Sequence, residues 1–294
     1  MGVGEDFQKF CNALRITQGE RSTISGRTSA ITKRLNLDFW NSSSDADHSF
    51  YSGSYGRETA IRGVSDIDLL MALPPAIYTQ YNSYQGNGQS ALLQAVKNSI
   101  AKTYSSTAMR GDGQVVVVTF NDMKYEIVPV FFNSNGYYTY PDSNNGGSWK
   151  EVKPKEEIAA IAQRNSETNG NLRELCRMTR AWKDRCSVPI SGMLIDTLAY
   201  NFIGSWQYRD KSYFYYDFMS RDFFEFLKGQ NSNQSYWRAP GSNQNVYPSG
   251  NFTYKAGQAY NAAIEAIAYA ENKNTWSARQ KWREIYGTDY PSSD

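Results

Sequence analysis

The sequence predicts an α+β protein in two parts, and three observations carry that prediction. Short β-branched or apolar runs around residue 50 and at 64–70, 115–120 and 124–132 read as strands. Among them, residues 7–14, 20–37 and 91–104 place their apolar side chains at helical spacing. After a stretch at 137–153 that reads as a polar, Gly- and Asn-rich loop, the remaining chain is helical in pattern. A lobe boundary is therefore expected near 150. It gives a first lobe at 1–150, with its N-terminal helices, and a helical lobe at 151–294, and 294 residues suffice for a proper core in each.

Each element has its own warrant. Phe7, Phe10, Cys11 and Leu14 make one face of the first helix, and Ile24, Ile31 and Leu35 mark the second, which ends near Phe39-Trp40. The polar segment 41–48 leads to a strand around Phe50. Val64, Ile67, Leu69 and Leu70 give the next strand, which Pro74-Pro75 ends. Residues 77–89, rich in Tyr, Asn and Gly, read as loop. Leu92, Leu93, Val96 and Ile100 share one face of a helix, and Asn121-Asp122 is the turn between two strands. Proline and acids at 154–157 look like a helix start. In the helix at 171–186, Leu172, Leu175, Cys176, Thr179 and Trp182 form the buried stripe. Residues 209–224 surround another helix, 231–251 are an Asn-, Ser- and Gly-rich loop, and 252–272 and 275–286 close the chain as helices. A loop as long as 231–251 is more often functional than idle.

Composition narrows the function. A net charge of +2 supplies no global field for nucleic acid, and nucleic-acid activation is not indicated. The 22 tyrosines suit base stacking and amphipathic packing equally. Cys11, Cys176 and Cys186 form no C-x-x-C pair, and with His48 as the one histidine a zinc site is not expected. Free thiols, an acidic N-terminus and no apolar run of membrane length point to a cytoplasmic protein that does not engage a membrane.

The informative stretch is 51–70, YSGSYGRETAIRGVSDIDLL. Alternate side chains of a strand share a face, so Asp66 and Asp68 point the same way. Two adjacent carboxylates repel, and a divalent cation between them relieves the repulsion. Hard oxygen ligands favour Mg²⁺ or Mn²⁺. Upstream, the small-residue turn Gly53-Ser54 can bring backbone N–H groups and a hydroxyl against a phosphate. A lone D-x-D is more often a turn or surface pair; the Gly-Ser turn at this distance and the apolar setting are what separate it from that. Glu126 is the third acid of interest, an acid inside the apolar strand Tyr125-Glu126-Ile127-Val128-Pro129. An edge strand can also carry such a Glu in solvent. Arg173, Arg177, Arg180 and Lys183 recur at three- or four-residue intervals, which makes a row of cations or simply a solvated face.

The stretch resembles the signature of DNA polymerase β-type nucleotidyltransferases, G-S followed by D-h-D. More closely it resembles the bacterial cGAS/DncV-like enzymes (CD-NTases, SMODS-type), in which G-S-x-x-R-x-T-x-I-x-x-x-S-D-I-D is matched by Gly53, Ser54, Arg57, Thr59, Ile61, Ser65, Asp66, Ile67 and Asp68. The RLNLDFW ending of the second helix is similar to theirs as well. The resemblance implies a polymerase β-type core of mixed sheet and flanking helices, a helical C-terminal lobe, and an active site in the cleft between them. It implies two metal ions, Mg²⁺ or Mn²⁺, on Asp66, Asp68 and Glu126. Glu126 matches h-[DE]-h-V-P, with Glu where Asp is commoner. It also implies donor-triphosphate contacts from Gly53, Ser54, Arg180, Lys183 and Ser191. Arg177, Arg180 and Trp182 fit the family frame R-x-x-K-x-W with Arg180 in place of Lys, and Met193 stands where a base-stacking Tyr is usual.

The activity so implied is synthesis of a cyclic di- or trinucleotide from ATP, GTP or another NTP, with release of pyrophosphate, in bacterial antiphage signalling. A regulatory protein or phage-derived activator is a possible partner. Two rivals stay open. One is a related enzyme that transfers a nucleotide to an RNA end, a protein or a small molecule; the other is an inactive nucleotide-binding module. The near-neutral charge argues against tRNA-sized partners, and the presence of all three acids argues against the second rival.

Overall fold

The computed structural model describes residues 2–293. Its first two helices are α1 (Val3–Leu14) and α2 (Gln18–Leu35), and a π turn at Asn36–Trp40 closes the second. Then come β1 (Ser49–Tyr51), the one-turn α3 (Gly53–Gly56), β2 (Asp66–Ala72), α4 (Pro75–Asn82) and α5 (Gly88–Ala101). Strands β3 (Ala108–Asp112), β4 (Val115–Thr119), β5 (Lys124–Phe132), β6 (Tyr138–Asp142) and β7 (Ser148–Val152) follow. The remaining helices are α6 (Pro154–Glu167), α7 (Asn171–Cys186), α8 (Gly192–Ile203), α9 (Tyr216–Lys228), α10 (Thr253–Glu271) and α11 (Thr275–Tyr286). Between α9 and α10 lie the two-residue strands β8 (Trp237–Arg238) and β9 (Asn245–Val246).

The chain forms two compact units that no single cut separates. The sheet unit is Ile16–Gly56 with Gly63–Lys155; the helical unit is Met1–Arg15, Arg57–Arg62 and Glu156–Asp294. This differs from the single boundary expected near 150 with both N-terminal helices in the first lobe. Helix α1 belongs to the helical unit because Phe7, Phe10, Cys11 and Leu14 are buried in that unit's core. A buried ion pair, Asp6 with Arg279 of α11, holds it there at 2.8 Å.

The sheet unit has strand order β1-β2-β5-β4-β3, and β6 and β7 extend it from the far end of β5. Only β2 and β5 run parallel; the other neighbours are antiparallel. One face carries Ile67, Leu69, Met71, Val116, Val118, Tyr125 and Ile127 into a core shared with Ile24 and Ile31 of α2 and Leu92, Val96 and Ile100 of α5. Strand alternation sends the intervening side chains, Asp66, Asp68 and Glu126 among them, to the opposite face. Farther along that face the pattern turns apolar, and Leu70, Val130 and Tyr138 make a small cluster of their own.

Three segments depart from the sequence reading. The stretch after Pro74-Pro75 is helix α4, not loop: Pro74 caps it and Pro75 occupies the first turn, where a missing N–H costs nothing. Tyr81 is then buried against the core. The stretch at 137–153 is the β6–β7 hairpin, whose turn at Asn144–Gly146 absorbs the Asn and Gly that suggested a loop. Strand β3, polar in sequence, exists because it pairs with the all-valine run of β4.

Candidate active site

Gly53 sits at φ 56, in the left-handed region where glycine is favoured. A Cβ there would collide with the Asp68 carboxylate, so only glycine fits for a second, independent reason. The Gly-Ser turn expected from the sequence is the single helical turn α3. It is docked on β2 by Ser52 N–H donating to the Asp68 carbonyl at 2.9 Å, and closed by Gly56 N–H donating to Ser52 O at 2.8 Å.

The acids come together through sheet register. Parallel pairing sets Asp68 directly opposite Glu126, and Asp66 opposite Lys124. Residues directly opposite share a face, so Asp66, Asp68 and Glu126 occupy one patch. All three are partly exposed. Burial raises the Glu126 carboxyl above its usual range, the charges of Asp68, Asp66 and Asp112 raise it further, and Lys124 opposes them. Ser65 Oγ donates to Asp66 Oδ2 at 2.8 Å. Among the described residues, no three His, Cys, Asp or Glu side chains converge on one point at cation-binding distance. The three carboxylates nonetheless suit a hard divalent cation in kind: they are oxygen donors on one face, and the backbones of Asp68 and Glu126 are in register. Asp122, in the turn before β5, pairs with Arg27 at 2.8 Å.

With this geometry in view, comparison with known proteins is decisive. The profile of the Second Messenger Oligonucleotide or Dinucleotide Synthetase (SMODS) domain matches residues 1–165, more than half of the chain. The chain belongs to the SMODS family. It is a nucleotidyltransferase, an enzyme of cyclic oligonucleotide synthesis. A probable cyclic nucleotide synthase of Bacillus cereus (strain VD146) is 23% identical over 281 residues, 82% of each chain. A cyclic AMP-AMP-AMP synthase of Acinetobacter sp. (strain ATCC 27244 / 9458) is 24% identical over 178 residues, 60% of this chain and 51% of that one. In fold, the chain resembles Vibrio cholerae DncV, a cyclic AMP-GMP synthase solved with the linear intermediate pppA(3′,5′)pG. The TM-score is 0.75 at 13% identity, over 95% of this chain and 93% of that one. It also resembles E. coli MS115-1 CdnC, solved in complex with HORMA-deltaN, at TM-score 0.71 and 16% identity over 98% of both chains.

The SMODS match takes in Gly53, Ser54, Asp66, Asp68 and Glu126 and stops short of Arg180, Lys183 and Ser191. Those three lie in the helical unit. Arg180 is only 7% exposed and is committed to the fully buried Asp196. Its Nη1 donates to Asp196 Oδ1 at 2.6 Å and its Nη2 to Oδ2 at 3.0 Å, and Nη2 also donates to the Gly192 carbonyl at 3.1 Å. Arg57 Nε and Thr59 Oγ1 donate to the same carboxylate at 2.8 and 2.9 Å. Burial alone would raise the Asp196 carboxyl; Arg180 and Arg57 outweigh it and lower it to about 2. Arg180 is thus paired with Asp196 through both of its terminal nitrogens, and a contact with the donor phosphates stays a proposal.

The rest of the cation row is likewise engaged. Arg173 Nε donates to the Arg57 carbonyl at 3.2 Å and Arg177 Nη1 to the Glu58 carbonyl at 2.7 Å, so the row anchors residues 57–59 on α7. Lys183 differs: its side chain is 37% exposed, with Asp184 Oδ1 at 3.7 Å. Ser191 caps α8, its Oγ accepting from Leu194 N–H at 3.2 Å. Trp182 is core, packed edge-on to Phe224 at 5.1 Å. Asp196 is the residue sequence reasoning left without a role, and the signal was there: an acid in the apolar run of α8 needs a buried cationic partner.

Proposed function

We propose that Asp66, Asp68 and Glu126 hold two divalent cations, Mg²⁺ or Mn²⁺, and that the enzyme joins NTPs into a cyclic di- or trinucleotide with release of pyrophosphate. The observation that carries the reading is the register of β2 on β5, which puts Glu126 opposite Asp68 and beside Asp66. Bound cations would supply charge neutralisation for the departing pyrophosphate and acidify the acceptor hydroxyl. The residues do the rest. Ser54 and the backbone of Gly53 receive the donor's phosphates beside Asp68. Lys183 and Ser191 are proposed as further phosphate contacts. Glu126 accepts the proton as the acceptor ribose oxygen bonds to the α-phosphorus and the bond to the β-phosphate breaks. A second transfer within the linear product closes the ring by the same bond changes.

The setting we infer is bacterial antiphage signalling, with a regulatory protein or a phage-derived ligand as activator. Family membership supports it, as does the likeness to a CdnC solved with a HORMA partner. Among the described residues no helix is long and apolar enough to cross a membrane. The test is product analysis: the protein is incubated with single and mixed NTPs and Mg²⁺, and the product is resolved by chromatography and mass spectrometry before and after nuclease P1. A cyclic oligonucleotide from wild type and none from Asp68→Asn is the expected result. Transfer only onto an added RNA, protein or small-molecule acceptor would overturn it.

A further inference from the structure

The carboxylate row continues beyond Glu126. Register places Glu126 opposite Val117 on β4, and Val117 opposite Arg110 on β3. One row across a single face of the sheet therefore reads Asp68, Glu126, Val117, Arg110. Two strand spacings put Arg110 roughly 10 Å from Glu126, backbone to backbone, a gap that an arginine side chain covers in large part. Asp112, two residues on, shares that face and accepts from Arg110 Nε at 3.3 Å and Nη2 at 3.0 Å. Both side chains are open to solvent, 62% and 57% exposed.

The row has direction. The phosphate turn α3 follows β1 and docks on β2, on the opposite side of Asp68 from β5. A transfer site needs its donor and acceptor on opposite sides of the acids. The donor's phosphates go with α3, which leaves the β5-β4-β3 side for the acceptor. The chemistry of the pair narrows what Arg110 contacts there. Asp112 cancels its charge and would repel a phosphate, yet it also fixes the guanidinium. Nη1–H and the second Nη2–H remain for two adjacent acceptors. Guanine presents such a pair in O6 and N7; adenine has N7 beside an amino donor.

We propose that Arg110, held by Asp112, reads the base of the acceptor nucleotide and selects guanine. The inference rests on Asp66, Asp68 and Glu126 being the transfer site. The test uses the full chain with ATP and either GTP or 7-deaza-GTP, which lacks the N7 acceptor. Wild type is expected to put guanine into its cyclic product and to show a KM for 7-deaza-GTP about ten- to a hundredfold above that for GTP, the discrimination of one bidentate contact. Arg110→Ala should show the same rise with GTP and no further rise with the deaza analogue, with kcat changed much less. Arg110→Lys, which keeps the charge and loses the fork, should behave like Arg110→Ala. A wild-type cyclic product without guanine, equal KM values for the two guanine nucleotides, or an Arg110→Ala enzyme still sensitive to the deaza substitution would each overturn the proposal while leaving the transfer site standing. Absence of any cyclic product from every NTP mixture would instead overturn the transfer site itself, and this inference with it.

Discussion

Two groups of charges in this molecule invite comparison. On the sheet face, Asp66, Asp68 and Glu126 are acids set side by side and partly exposed, and burial, with the charges of Asp68 and Asp66 added, raises Glu126. In the helical unit, Asp196 is fully buried, yet two arginines and a threonine donate to it. The first group sets like charges next to one another, and the second sets an acid among cations. Like charges held together by secondary structure suit a site that takes a cation; an acid buried among arginines suits a structural device. The cation row of α7 meets the second group through Arg180, which pairs with Asp196.

The comparison breaks most sharply at Asp68. Asp68→Asn is expected to lower cyclic-product formation by at least about a thousandfold, the scale of losing a group that acts on transition-state charge. Its thermal unfolding temperature without metal should equal or exceed wild type, because a like-charge repulsion is relieved. Retained turnover, or a large loss of stability, would erase the distinction. Asp196→Asn is expected to do the reverse. It leaves buried Arg180 without its counter-charge and Arg57 with Glu157 alone, at 3.8 Å, a loss of about 3–5 kcal/mol visible in denaturant unfolding. Arg180→Ala should also destabilise, where a phosphate ligand would change only KM.

Glu126 sharpens the contrast. Glu126→Gln should reduce kcat far more than it changes NTP affinity, because proton acceptance acts in the transition state. Glu126→Asp keeps the charge with a shorter reach and should retain part of the activity. Turnover and NTP binding measured in parallel separate these outcomes, and a Gln variant that turns over like wild type would remove Glu126 from the site.

The pH dependence of unfolding tests the buried side of the comparison. The Asp196 carboxyl lies at about 2 in the folded protein, below its ordinary value of 3.8. Its contribution is therefore fully present above about pH 4 and is lost as pH falls towards 2. Wild type should lose stability across that window more steeply than Asp196→Asn, measured by denaturant titration at fixed pH steps. Identical slopes would mean the pair contributes nothing. The smallest effect is expected at Lys183: Lys183→Ala should raise the KM for NTP about tenfold, the loss of one charge-assisted phosphate contact, with unfolding unchanged. An unchanged KM would reduce Lys183 to a solvated surface cation.

Much of the site was legible because its determinants are local. Alternation along one strand puts Asp66 and Asp68 on one face whatever surrounds them, and an acid in the apolar run of β5 stands out by itself. The α7 stripe from Leu172 to Trp182 was equally plain, since helical periodicity is a property of the segment. The segments misread as loops, α4 and the β6–β7 hairpin, are polar on one side and take their structure from what their few apolar residues meet.

Sequence alone thus singled out the candidate acids, the strands that carry them and the glycine upstream, because those follow from strand and turn geometry. Only tertiary structure decided which strands are neighbours, and hence that Glu126 stands opposite Asp68 and that Arg110 lies in the same row. It alone decided that Arg180 turns inward to Asp196, and that α1 and residues 57–62 join the helical unit. Pairing partners of charges and strands distant in sequence are chosen by burial and complementarity over the whole chain, and no local pattern records that choice.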